Sequence, residues 1–132
     1  MAKSFIRLWI LFSLLISITS CTLGPAEFGV LEGQVNIGPL QPAIQVGEDP
    51  PTPAPEVYAA REIVVYKKNG VTEYTRLAIG PTGLYRGDLP VGVYVIDINH
   101  LGIDSADNLP LEITIFADRV FTLDISIDTG IR

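Results

Sequence analysis

The chain has 132 residues, with 9 Lys/Arg against 15 Asp/Glu, a net charge of −6 and one cysteine. That length suits one domain, and without a Lys/Arg stripe to release counterions from phosphates, nucleic acid is not an expected partner. A lone cysteine permits no internal disulfide, so stability has to come from an apolar core.

Lys3 and Arg7 form a short basic region ahead of Leu8 to Ile18, which is apolar apart from Ser13 and Ser17. This is the build of a secretory leader, and it is too short for a comfortable membrane span of roughly 20 apolar residues. The four residues Ile18-Thr19-Ser20-Cys21 resemble the bacterial lipobox, an aliphatic residue and two small ones before a cysteine. That resemblance implies cleavage between Ser20 and Cys21 and a diacylglycerol on the Cys21 thiol. The mature chain would then be held on a membrane, outside the cytoplasm, by two or three acyl chains. Thr22 in place of Asp resembles the default signal for the outer membrane in a bacterium that has one. Two other readings stay open: an ordinary secretory peptide cut elsewhere, in which Cys21 is incidental, or an uncleaved anchor. Removing Lys3 and Arg7 leaves seven basic against fifteen acidic residues, a net charge of −8 that favours solubility outside the cell.

The expected organisation is a signal peptide over 1–20, a lipidated tether over 21–28 and a β-sandwich domain over 29–132 that includes a proline-rich loop at 39–55. Gly29 to Leu40 alternates, with Leu31, Val35 and Ile37 on one face and Glu32, Gln34 and Asn36 on the other. Prolines at 39, 42, 50, 51, 53 and 55 then predict an extended loop that is neither helix nor central strand. Loops of this length are often functional or mobile.

Glu62 to Lys67 predicts a strand, Asn69-Gly70 a hairpin turn, and Glu73 to Ile79 the returning strand. Gly80-Pro81-Thr82-Gly83 turns the chain into Leu84 to Leu89, and Leu89-Pro90-Val91-Gly92 leads into Val93 to Asn99. Leu101 to Leu109 reads as a polar loop, Leu111 to Phe116 as a strand, and Phe121 to Ile127 as the cleanest alternation in the chain. About seven strands with no helical period after the leader argue for an all-β, two-sheet sandwich.

Three stretches carry a family resemblance: Gly33 to Leu40 followed by Pro42, Gly83-Leu84-Tyr85 with Leu89 to Tyr94, and the closing Leu123 to Arg132. Together they resemble carboxypeptidase-regulatory-like domains of the prealbumin-like type. The resemblance implies a seven-stranded Greek-key β-sandwich. Some members of such families carry cysteines in the loop after the first strand, where this chain has Gln41 and prolines. Hydrolases of the prealbumin-like fold rely on a histidine near the start and a basic, serine-ended C-terminus, and this chain has neither.

A search for chemistry finds little. Beyond the leader there is one histidine, His100, with Ser105 and Ser126, and no nucleophile elbow accompanies them, so a solvent-exposed loop histidine is the expected reading. Asp124 and Asp128 stand about 13 Å apart at strand rise, too far for a glycosidase pair. Asp97, Asn99, Asp104, Asp107 and Asn108, with Gly102, place oxygen ligands within a dozen residues, as calcium requires. An EF-hand register fails there, because Leu101 falls at the fifth position and Asn108 at the twelfth. A solvated turn is the alternative to a calcium loop. For sugar binding, Trp9 leaves with the leader, and Tyr58, Tyr66, Tyr74 and Tyr85 are explained equally by packing.

The resulting expectation is a non-catalytic, lipid-anchored envelope accessory or interaction module that needs no cofactor. Its partner is an unknown envelope protein or glycan, met through residues such as Pro50, Pro51, Pro53, Pro55 and Tyr58 and through the loop from Gly102 to Asn108. The alternative is a surface module that binds glycan or calcium.

Overall fold

A computed structural model describes residues 24–132. The leader, Ser20 and Cys21 lie outside the described residues.

The first strand organises the rest. β1 (Phe28–Gly38) buries every second residue, and the inward positions are Gly29, Leu31, Gly33, Val35 and Ile37. Its apolar residues meet the period-2 expectation, and the two glycines have a separate cause. A methyl group on Gly29 would come within 2.3 Å of the Phe116 carbonyl oxygen, and one on Gly33 within 1.9 Å of that of Leu123. Both are sites where another backbone passes too close for any side chain.

Eight strands and one short helix follow one another among the described residues. After β1 come α1 (Pro55–Ala59), β2 (Glu62–Lys67), β3 (Glu73–Ala78), β4 (Leu84–Pro90), β5 (Gly92–Ile98), β6 (Leu111–Ile115), β7 (Val120–Thr122) and β8 (Ile125–Asp128). They make two sheets. One runs β4-β1-β7, with β8 also on β1, and the other runs β3-β2-β5-β6. All pairings are antiparallel except those of β7 and β8 with β1, which are parallel.

The single strand expected from Phe121 to Ile127 is interrupted, although its register is not lost. Val30 lies opposite Val120 and Val35 opposite Ile125, the same offset on both sides of the break. At the break Asp124 replaces a backbone acceptor with its side chain, whose Oδ1 takes the Gln34 N–H at 2.9 Å. The Leu123 carbonyl turns inward to accept the Tyr85 hydroxyl at 2.5 Å. Leu123, Ile125 and Ile127 stay buried throughout.

The loop expected over 39–55 also needs correcting at its end, because Pro55 opens α1. Proline's fixed φ suits the first helical position, where its missing N–H would have no partner anyway. One turn then suffices to put Tyr58 into the core and Val57 against it.

The core lies between the sheets. Leu31, Ile63, Leu89, Ile96, Ile98, Ile115 and Ile125 are its largest fully buried side chains. The hairpin joining β2 and β3 turns at Asn69-Gly70, where the Asn69 carboxamide oxygen accepts the Val71 and Thr72 N–H groups, both at 2.9 Å.

Candidate functional site

Strand direction sorts the connections onto two ends. At one end are the start of β1, the β2–β3 hairpin, the Pro90–Gly92 turn and the β6–β7 turn. At the other are the loop that leaves β1, α1, the β3–β4 turn, the long β5–β6 loop and the C-terminus.

The long loops of the second end are pinned at their bases. Thr129 donates its backbone N–H to the Gly38 carbonyl at 3.1 Å and its hydroxyl to the Pro39 carbonyl. Ser105 and Asp128 exchange backbone hydrogen bonds of 2.9 and 2.8 Å, which ties the β5–β6 loop to β8. Beneath that loop Arg61 grips Asp104: Nε to Oδ2 is 2.6 Å and Nη2 to Oδ1 is 3.2 Å, with the side chains 10% and 4% exposed. The remaining guanidinium nitrogen, Nη1, donates to the Val57 carbonyl at 2.9 Å. Sequence reasoning missed this pair. Its partners are 43 positions apart, and nothing near Arg61 marks it as a buried cation.

Between the loops lies a groove of about 600 Å³ lined by Asn36, Gly38, Asp107, Asn108, Asp124 and Ser126, with Asp128 at its edge. Its carboxylates differ. Asp124 is engaged with Gln34. Arg132, at 2.8 Å, and the Gly130 N–H hold Asp128 at a pKa of about 2, so it is an acceptor and not an acid at neutral pH. Asp107 is exposed, with no hydrogen bond among the described residues. The groove therefore offers acceptors to hydroxyl, amide or cationic donors, and no nucleophile with its base.

The residues considered for calcium are divided among other partners. Asp104 belongs to Arg61. Asp97 Oδ1 accepts the Ile98 N–H at 2.8 Å and meets His100 Nε2 at 3.0 Å. Asn99 staples the loop base, accepting from the Glu62 N–H at 3.3 Å and donating to the Ala60 carbonyl at 3.2 Å. Asn108 faces the Asp124 carbonyl at 3.5 Å, and Asp107 stands apart in the groove. No three His, Cys, Asp or Glu side chains converge on a metal position among the described residues.

The candidate interaction residues also separate. Pro50, Pro51 and Pro55 are exposed and Pro53 is half-buried, whereas Tyr58 is buried in the core and presents no surface to a partner. The exposed apolar side chains of this loop are instead Ile44 and Val46.

His100 is exposed, as expected, yet tethered. Nδ1 meets the Asp104 carbonyl at 3.1 Å and Nε2 the Asp97 carboxylate, so neither nitrogen is available to a serine. The Asp104 carbonyl first and the Asp97 carboxylate second raise its pKa, since only the cation donates from both nitrogens. A folded-state pKa above the unfolded value stabilises the fold fully below about pH 6.5, and that contribution is lost as pH rises through the folded pKa. His100→Gln is accordingly expected to cost more stability at pH 5.5 than at pH 8.5, by a small margin because solvent screens the site. Urea titrations at the two pH values check this, and equal costs would refute it.

No family profile matches this sequence, and no curated protein does. Solved structures do resemble the fold. A minor pilin of the Gram-positive pathogen Streptococcus agalactiae superposes with a TM-score of 0.50 at 16% identity, over 78% of this chain and 45% of that one. A DUF3823 family protein from Parabacteroides merdae gives a TM-score of 0.48 at 14% identity, over 78% of this chain and 47% of that one. The chain spans less than half the length of either. At such identities the likeness to the pilin is one of fold, an all-β, two-sheet sandwich. Among the described residues no helix is long and apolar enough to cross a membrane.

Proposed function

We propose that this chain is a lipid-anchored, extracytoplasmic accessory or protein-interaction module of a bacterial envelope, without catalytic activity of its own. The observation that carries the reading is the polarity of the sandwich. β1 begins at Phe28, seven residues after Cys21, at the end opposite the two long loops. Seven residues span at most about 25 Å, so an acylated Cys21 would keep one end of the sandwich near the bilayer and turn the loop end outward. The likeness of fold to a minor pilin of a Gram-positive pathogen supports that setting without naming a partner.

The same reading takes the fold as a Greek-key sandwich of the carboxypeptidase-regulatory-like, prealbumin-like type. Counting β7 and β8 as one interrupted strand reduces the eight segments to seven. The orders β4-β1-β7 and β3-β2-β5-β6 are compatible with that topology.

Crosslinking in intact cells, followed by mass spectrometry of what co-purifies and of the mature N-terminus, tests both halves. The expected result is a chain beginning with acylated Cys21 and an envelope protein joined through residues 41–52 or 101–108. Cys21→Ala should leave the chain unprocessed and unlipidated, and normal processing of that variant would defeat the lipid reading. An acylated chain with no protein partner would shift the assignment to the acceptor-lined groove as a glycan site, for which Asn36, Asp107, Asn108 and Ser126 supply the polar groups.

A further inference from the structure

We propose that the end of the sandwich where β1 begins docks directly on an anionic phospholipid surface. The proposal rests on the anchored reading only for how near that end lies to a bilayer; the surface itself is argued from its side chains. Of the seven basic residues after the leader, Arg61, Arg76, Arg86 and Arg132 are each paired with a carboxylate. The other three, Lys67, Lys68 and Arg119, are exposed and form no ion pair among the described residues. All three lie at this end, the lysines where β2 enters its hairpin and Arg119 in the β6–β7 turn.

Large apolar side chains are exposed beside them. Phe28 opens β1, Val91 sits in the β4–β5 turn and Phe116, 61% exposed, directly follows β6. Backbone hydrogen bonds bring these together: the Val91 N–H reaches the Glu27 carbonyl at 2.9 Å, and the Asp118 N–H reaches that of Phe28 at 2.9 Å. Val71, 79% exposed, is at the hairpin tip next to the lysines. An aqueous surface does not favour such a group, whereas a headgroup interface accepts aromatic and aliphatic tips together with flexible cations that reach phosphate.

Glu27 and Asp118 share the end, Asp88 stands two residues up β4, and Glu73, which opens β3 beside the hairpin, is held by Arg76, so the end's charge is close to balanced while the rest of the chain is strongly acidic. That distribution orients the molecule. An anionic surface repels the loop end, with Glu48, Asp49, Asp107 and Asp124, and tolerates only this one.

The chain from Cys21 onward contains every described residue and has no tryptophan, so Phe116→Trp supplies a single reporter, and Val46→Trp on the opposite loop supplies its control. Each is coupled through the Cys21 thiol to a maleimide lipid in vesicles of phosphatidylglycerol and phosphatidylcholine. The expected result is a blue-shifted Phe116→Trp emission, quenched by brominated lipid, with Val46→Trp unmoved. Untethered, as Cys21→Ser, the Phe116→Trp chain should bind these vesicles at least tenfold more tightly than its Lys67→Gln, Lys68→Gln, Arg119→Gln derivative, since each cation near an anionic surface contributes about fivefold. A silent Phe116→Trp, or equal shifts at both ends, would overturn the docking. Because the anchor is attached chemically, that failure is separate from the cellular one: a native Cys21 without lipid would remove the anchored reading and leave this surface standing.

Discussion

Asp104→Asn is expected to lower the stability of the sandwich by about 3–5 kcal/mol, the usual result of removing one partner of a buried ion pair. Domains of this size are stable by only about 5–15 kcal/mol, so the change is a large fraction of the whole and should lower the melting temperature by more than about 12 °C. The cause is Arg61. Its guanidinium is enclosed under the β5–β6 loop, and with asparagine there it loses its counter-charge, keeping the Val57 carbonyl and one carboxamide oxygen as acceptors while the new NH2 group faces a donor. Arg61→Met should cost a similar amount, because Asp104 is then the stranded charge. Combining Arg61→Met with Asp104→Leu removes both charges, and the double variant is expected to lie within about 2 kcal/mol of wild type, since an apolar replacement of such a pair is often neutral or better. The cycle is read by urea denaturation monitored by circular dichroism, with hydrogen exchange reporting on residues 99–110. Single variants within 1 kcal/mol of wild type would mean that water reaches the pair and that it does not hold the loop.

This ion pair also shows where the sequence stops being informative. The strands are legible because their signal is local: Leu31, Val35 and Ile37 alternate with polar residues whatever the rest of the chain does, and Asn69-Gly70 specifies its turn by itself. Asp104 is different. Among neighbours such as Asp107 and Asn108 it has the composition of a cation-binding loop, and only the distant Arg61 decides that it is a structural counter-ion. Tyr58 reads from the sequence as a loop residue for a related reason. It follows a run of prolines, and the single helical turn that carries it inward is stabilised by core contact and not by any helical period. The loop end was legible as loops but not as a groove, because its floor is made by β1 and β8 lying side by side, a parallel pairing between the first and last strands of the sandwich. The exposed apolar tips at the other end are legible one by one but not as a group. Alternation puts Phe28 on the outer face with Glu32 and Gln34 and Phe116 on that of Glu112 and Thr114, and only the pairing of distant strand ends gathers them with Val91.

Gly33→Ala is the other change expected to do severe damage, roughly 3–5 kcal/mol from overpacking together with two disturbed hydrogen bonds. No left-handed φ is involved at this position; the difficulty is space. A methyl group there would lie 1.9 Å from the Leu123 oxygen, 2.6 Å from its carbonyl carbon and 3.0 Å from Cε1 of Tyr85. Leu123 cannot yield easily. Its N–H is held by the Glu32 carbonyl at 2.9 Å and its oxygen by the buried Tyr85 hydroxyl, while Asp124 ties the next residue to Gln34. Admitting the methyl group therefore means parting β1 from the β7–β8 junction, the seam on which both parallel pairings depend. Gly38→Ala is the matched control, because open space surrounds that position. It should leave stability unchanged or raise it by about 0.4–1 kcal/mol through a less flexible unfolded chain. Thermal melts of the two variants check the contrast. If Gly33→Ala melted within a few degrees of Gly38→Ala, the seam would have to be far looser than these distances describe, and the interruption between β7 and β8 would be slack in the sheet instead of a point where side chains replace the backbone ladder.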